Sequence, residues 1–164
     1  MSGGTFNFKA ESSATGAGAF EVTGGTANLN GDLTGFTGTI RLSGGTTAIG
    51  KVSGFTGALV LSGGSIASGT SLAGFTGTAT IDVSGRGDAL SVDNRNWFTF
   101  ASGKTVRIDV GDRELEYGDT LISWTPPPPA GIRFALSKKA DGILRRTDTG
   151  ITYVKSPGLL IFFN

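Results

Sequence analysis

The densest group of side chains with catalytic or metal-binding chemistry is an acidic stretch in the second half of the chain. Its carboxylates belong to Asp109, Asp112, Glu114, Glu116 and Asp119. Alternating carboxylates can gather a calcium ion or act as an acid and base pair. However, Glu114 and Glu116 flank an apolar leucine beside a turn, and their spacing matches no EF-hand loop. This pattern is typical of a solvated strand face, so we predict neither catalytic residues nor a metal site here.

The composition removes several classes of chemistry. The 164 residues include no histidine and no cysteine. Ser-His-Asp and Cys-His nucleophiles, histidine- or cysteine-ligated zinc and haem, and iron–sulfur clusters are therefore excluded, as are disulfides. A hydrolase or lyase built from carboxylates, lysine, arginine and tyrosine remains the enzymatic alternative. We expect a non-enzymatic protein without a cofactor.

Two further groups suggest binding. Lys138-Lys139 and Arg145-Arg146 form a small basic patch, which would suit an acidic glycan or a phosphate, although acidic residues that compensate its charge lie nearby in the sequence. The net charge of +1 provides no strong field, so we expect no nucleic-acid partner. The aromatic run that contains Trp97, Phe98 and Phe100 would suit sugar stacking, but at a domain junction such a run is more typical of core.

An internal repeat organises the first half of the chain. Three Gly-Phe-Thr-Gly motifs begin at Gly35, Gly54 and Gly74, which lie 19 and 20 residues apart. A Ser/Thr-Gly-Gly marker keeps step with them, with copies at 2–4, 23–25, 43–45 and 62–64. Between the markers lie short alternating runs of apolar and polar residues, the pattern of strands with one buried face. The repeat predicts an all-β fold, a parallel β-helix (solenoid) with about 20 residues per coil.

Stacked coils would align equivalent residues in columns with a spacing of about 4.8 Å. The predicted core ladder consists of Phe36, Phe55, Phe75, Leu42, Leu61 and Ile81. A further inward column runs through Phe20, Ile40, Leu59 and Ala79. The residues between them, predicted to point outward, are Glu21, Arg41, Val60 and Thr80.

These Gly-Gly-Thr and Gly-Phe-Thr-Gly-Thr repeats, over roughly residues 1–85, resemble the glycine- and threonine-rich repeats of bacterial autotransporter passengers and related surface proteins. The resemblance implies a right-handed parallel β-helix that serves as an adhesin, stalk or scaffold. It also implies a secreted or cell-surface location. Met1–Gly4 has neither the basic nor the apolar region of a signal peptide, which leaves an intracellular protein or an excised segment as alternatives. No apolar run is long enough for a membrane span.

The second half differs in composition, since residues 86–164 hold 20 of the 27 charged side chains but only 8 of the 28 glycines. We therefore predict a repeat region over 1–95 and a C-terminal β-rich capping region over 96–164, with a separate binding domain as the alternative for the second region. Strands are predicted at 105–110, 120–124, 142–146 and 150–154, the last two joined as a hairpin. The apolar run at 159–163 is predicted to be a buried strand.

The predicted function is that of a structural subunit or stalk segment of an extracellular filament or surface assembly. A solenoid with open ends presents unpaired strands, and unlike ends join head to tail. We predict a homo-oligomer or head-to-tail polymer formed by strand addition at the first coil. The alternative is that Leu159–Phe163 packs into its own C-terminal core and that the open end results from excision of the segment. The predicted interface consists of Phe6, Phe8, Leu159, Leu160, Ile161, Phe162 and Phe163. The alternative function is a carbohydrate-binding or carbohydrate-cleaving β-helix module, with a glycan as partner.

Overall fold

The fold is all-β, as the repeat predicts. A computed structural model describes residues 3–93 and 98–156, and within these ranges it contains twelve strands and no helix. The strands are β1 (Thr5–Phe8), β2 (Ala19–Leu29), β3 (Thr39–Ile49), β4 (Ala58–Leu61), β5 (Ser65–Ile66), β6 (Thr78–Asp82), β7 (Leu90–Asp93), β8 (Thr105–Asp109), β9 (Thr120–Thr125), β10 (Arg133–Leu136), β11 (Gly142–Arg146) and β12 (Gly150–Lys155).

Eight strands form one parallel sheet in the order β1-β2-β3-β4-β6-β8-β10, with β5 beside β3. Thr5 lies opposite Thr26, which lies opposite Thr46, so each strand pairs with the segment about 20 residues further along the chain. The spacing then widens, because Ala79 pairs with Val106 and Val106 with Phe134. The parallel sheet therefore continues beyond residue 95, where the glycine markers have ended. The division of the chain at residue 95 remains a prediction.

The second sheet has four strands in the order β11-β12-β9-β7. β7 and β9 are parallel, whereas β12 is antiparallel to both β9 and β11. Consecutive strands alternate between the two sheets here. β6 pairs with β8 in the parallel sheet, and β7, which follows β6 in the chain, pairs with β9 in the second sheet. The predicted hairpin at 142–154 is present as β11 and β12.

Close backbone contact between repeats explains the fixed glycines. A Cβ atom on Gly57 would collide with the carbonyl oxygen of Gly38, and one on Gly77 would collide with that of Gly57. These positions need glycine because the neighbouring repeat leaves no room for a side chain. Gly25, Gly45 and Gly64 instead share a positive φ, at +70°, +66° and +59°. The Ser/Thr-Gly-Gly marker thus provides a glycine with positive φ in each repeat, and where β2 pairs with β3 it coincides with a shift in register.

One outward position differs from the sequence prediction. Val60 is only 8% exposed, although its neighbours in register, Arg41 and Thr80, lie on the same outward face. Arg41 Nη1 bonds Asp82 Oδ2 at 2.8 Å, and because β4 lies between β3 and β6, this ion pair spans the strand that carries Val60. The long arginine side chain covers apolar surface as well as carrying charge.

Candidate self-assembly surfaces

A column of phenylalanine rings runs along the molecule. The three predicted members follow one another in chain order. The ring centroids of Phe36 and Phe55 are 5.8 Å apart, and those of Phe55 and Phe75 are 5.3 Å apart. The column is longer than the repeat motif indicates, because Phe20 and Phe8 extend it at one end and Phe100 extends it at the other. The sequence analysis names these three residues but does not place them in the ring column, because they lie outside the Gly-Phe-Thr-Gly motif.

The aliphatic members of the predicted ladder also align. Leu42 lies opposite Leu61 and Leu61 opposite Ile81, and all three are buried. Phe98 and Phe100 are buried as well, while Trp97 lies outside the described residues. These side chains form core and carry no chemistry of their own.

The Lys104 side chain lies against one ring of the phenylalanine column, that of Phe75. Its ammonium lies 4.6 Å from the centroid of Phe75 and donates hydrogen bonds to the carbonyl oxygens of Phe75 and Gly77. Burial lowers the pKa of Lys104. The arrangement is a cation–π contact combined with backbone capping, and it stabilises the turn of the third repeat.

The N-terminal end of the parallel sheet has a recess. β1 pairs only with the Thr26–Leu29 half of β2, and no strand among residues 3–93 and 98–156 covers the outer side of the half that begins at Ala19. The resulting apolar cavity has a volume of about 310 Å³. It is lined by Phe6, Ala19, Phe20, Glu21, Val22, Ala27 and Leu29. Phe6 of the predicted interface therefore lines this recess, and Phe8 packs beside it against Phe20.

The C-terminal end has a groove between the two outermost strands. β10 ends the parallel sheet and β11 ends the second sheet, and a cavity of about 430 Å³ lies between them. Its lining residues are Phe134, Ala135, Leu136, Lys138, Lys139, Ala140, Gly142, Ile143 and Leu144. Ile143 is 45% exposed, which is unusual for a large aliphatic residue on a strand. The other predicted interface residues, Leu159–Phe163, lie outside the described part of the chain.

Arg146 fixes one end of β11. Its guanidinium donates to the carbonyl oxygens of Pro128, Pro129 and Ile132 and lies 5.9 Å from the centroid of Trp124. Arg146, predicted as part of a basic binding patch, is thus engaged with the backbone of the preceding loop. Lys138 is engaged in a similar way, with the carbonyl oxygens of Gly111 and Arg113 at 2.7 and 2.9 Å.

A cluster of two tyrosines and one carboxylate fixes the other end of β11. Tyr117 donates to Asp141 Oδ2 at 2.7 Å, Tyr153 donates to Oδ1, and the backbone N–H of Gly142 donates to the Tyr153 hydroxyl. The rings are stacked with centroids 5.6 Å apart. The hydrogen bonds from Tyr153 and Tyr117 lower the pKa of Asp141, and the same bonds raise the pKa of both phenols. The sequence gives no signal for this cluster, because its members are up to 36 residues apart.

Two carboxylates of the acidic stretch are engaged in an ion pair and in hydrogen bonds. Asp119 pairs with Arg113 at 3.0 Å, and Asp109 accepts hydrogen bonds from Gly111 N and Ser137 Oγ. Glu114 and Glu116 are exposed. Within the described ranges, no three aspartates or glutamates come close enough to hold a metal ion.

The chain matches no family model, no curated protein and no solved structure. Across the described ranges there is also no helix with the length and apolar character needed to cross a membrane.

Proposed function

We propose that the chain winds as a β-solenoid and acts as a non-enzymatic structural subunit or stalk segment of an extracellular filament or surface assembly. The support for winding is the register, in which each parallel strand lies opposite the segment about one repeat further on. Columns of like residues, including the phenylalanine rings, follow from such stacking. The likeness of the repeats to passenger repeats of surface proteins supports the extracellular setting.

The observation that carries the assembly proposal is the pair of unlike open ends. Within residues 3–93 and 98–156, the N-terminal end has an apolar recess beside the half of β2 that β1 does not reach, and the C-terminal end has a groove between two edge strands. Unpaired strand edges are templates for another chain. Because the two surfaces differ, copies that join through them form a head-to-tail polymer and not a closed dimer.

Strand addition is the proposed mode of contact. The recess lined by Phe6 offers apolar surface and backbone hydrogen-bonding groups, the two elements that strand addition uses. Leu159–Phe163 is the proposed donor, because it is an apolar run without a charged residue. A neighbouring copy would insert this run beside the Ala19 end of β2.

Sedimentation velocity of the wild-type chain and of a chain truncated after Ser156 tests this proposal. We expect concentration-dependent polymers for the wild type and their loss in the truncated chain, with the β-sheet circular dichroism signal retained. A wild type that stays monomeric at high concentration would refute the proposed assembly. Equal polymerisation of both chains would refute the role of the terminal run.

A carbohydrate-binding module is the second candidate, and one observation favours it. The Tyr117 ring is 49% exposed and lies flat against Tyr153, and a fixed exposed aromatic face suits a sugar ring. A glycan array tests it with wild type, Tyr117→Ala and Trp97→Ala. Saturable binding that either substitution abolishes would support this function, and the absence of any binding would rule against it.

A further inference from the structure

The two open edges of the parallel sheet belong to one column of strands. From β10 the pairing passes through β8, β6, β4 and β3 to the Ala19–Val22 half of β2, and every step is parallel. Among residues 3–93 and 98–156, β10 and this half of β2 are each paired on one side only. The two open edges therefore have the same direction and the same lateral position in one sheet. One row of this column consists of Phe20, Ile40, Leu59, Ala79, Val106 and Phe134.

This apolar row is incompletely covered at both ends. Its four interior members are at most 2% exposed, whereas Phe20 and Phe134 are only partly buried. Leu136, which lies in the next inward row, is also only partly buried. Burial of apolar surface is the main favourable contribution to folding and association. Each end of the column would therefore be stabilised by a further strand.

Backbone groups of β10 also point to its open edge. The N–H groups of Arg133 and Ser137 donate to carbonyl oxygens on the β8 side, each at 2.9 Å. Alternate residues of a paired strand direct their N–H groups to the same side, so those of Phe134 and Leu136 point away from β8. An edge with such groups is a template for another strand.

The described part of the chain ends close to this edge. Lys155 is the last residue of β12 and lies opposite Gly142, which lines the groove of about 430 Å³ beside β10. Leu159 follows Lys155 by four residues, which span at most about 14 Å. The run Leu159–Phe163 has five apolar residues and no charge, so it suits the four-residue edge of β10 in length and character. The run is thus close enough in the chain to cover β10 of its own copy.

We propose that Leu159–Phe163 forms the next strand of this column, paired along one edge with β10 of its own copy and along the other with Ala19–Val22 of the next copy. This inference rests on the proposed self-association, in which the run enters the recess beside β2, and it adds β10 as the partner of the run's second edge. β1 leaves that place open, because it pairs only with Thr26–Leu29. The column would then continue from copy to copy, with β10 and the next β2 two strand spacings, about 9.6 Å, apart.

Hydrogen exchange tests the contact with β10 in the full chain. It compares wild type, Ile161→Pro and Ile161→Val at a dilution at which the wild type sediments as a monomer. Proline has no N–H group and is excluded from the interior of a sheet, whereas valine favours strands. We expect the amides of Phe134 and Leu136 to lose protection in Ile161→Pro and to keep it in Ile161→Val. The amides of β6, which is paired on both sides, should stay equally protected in all three chains and report an intact fold.

Engineered cysteines test both edges of the run, because the chain has none of its own. Leu160, Ile161 and Phe162 are replaced by cysteine in turn, since successive residues of a strand point to opposite faces. Each replacement is combined with Ala135→Cys or with Glu21→Cys, which lie at the two ends of the outward row of the column. Neighbouring strands lie about 4.8 Å apart, within the roughly 4.4–6.8 Å that a disulfide spans.

After oxidation, we expect one run position to form an internal disulfide with Ala135→Cys in a monomer and a ladder of covalent oligomers with Glu21→Cys. Thr80→Cys, in the same outward row but two strands before β10, should give neither. Ladders with Glu21→Cys, together with β10 amides that Ile161→Pro leaves unchanged, would overturn this inference and leave the proposed assembly intact. A wild type without polymers would overturn both, even with β10 protected, because the run would then cap its own copy only.

Discussion

Phe55 is the residue whose removal tests the stacked core most sharply. Its ring is 1% exposed and lies between the rings of Phe36 and Phe75. Phe55→Ala removes apolar surface and leaves a cavity that rigid strands on both sides cannot close. Such a substitution costs about 3–5 kcal/mol, of which each lost ring contact contributes about 0.5–1.5 kcal/mol.

The adjacent Thr56 provides the matched control. It is exposed, so Thr56→Ala should change the free energy of unfolding by less than about 0.5 kcal/mol. Urea unfolding followed by far-ultraviolet circular dichroism measures both variants against wild type. The midpoint should fall strongly for Phe55→Ala at an unchanged slope. If the free energies of unfolding of Phe55→Ala and Thr56→Ala differed by less than about 1 kcal/mol, the assigned faces of the repeat would be refuted, since removal of a buried ring costs far more than that.

Three further substitutions have defined outcomes. Gly57→Ala should destabilise the fold by at least about 1–3 kcal/mol in urea unfolding, because its Cβ meets a backbone carbonyl, whereas Gly85→Ala, with open space around it, should be neutral. Equal effects of the two glycine variants would contradict the stacking. Asp141→Asn should shift the phenolate absorbance of Tyr117 and Tyr153, the two tyrosines of the chain, to lower pH, because Asp141 raises the pKa of both phenols. A raised pKa in the folded state means that these hydrogen bonds stabilise the fold below about pH 10, and that this stabilisation is lost as the pH rises through the pKa of the folded protein. The lowered pKa of Asp141 sets the acid limit of the cluster, because its contribution to stability is lost as the pH falls below 3.8. A phenolate titration that Asp141→Asn leaves unchanged would contradict the cluster. Asp82→Asn should cost about 0.2–1 kcal/mol, because its ion pair with Arg41 is partly exposed, and a double-mutant cycle with Arg41→Ala should attribute that cost to the pair.

The first half of the fold could be predicted because two markers repeat at one period. The fixed spacing of the Gly-Phe-Thr-Gly motifs specifies which strands are equivalent, and the alternation between markers specifies the buried face. Phe20 illustrates the limit of that reasoning. Its register opposite Ile40 follows from the repeat, whereas its ring contact with Phe36 depends on how two different segments meet inside the molecule.

The C-terminal surfaces could not be predicted in the same way. β10 pairs with β8 at a longer spacing and without glycine markers, so neither the continued sheet nor its edge has a sequence signal. The Tyr117–Asp141–Tyr153 cluster and the bonds of Arg146 join segments that no local pattern relates. Val60 shows a related difficulty, because its burial comes from an ion pair between two other strands.

Electron microscopy and diffraction of the wild-type protein, at the highest concentration that remains in solution, tests the proposed solenoid assembly most directly. The account predicts unbranched rods of single-molecule width with a reflection near 4.8 Å along the rod axis, because the strands stack along that axis. Isolated particles, or rods without that axial reflection, would contradict it.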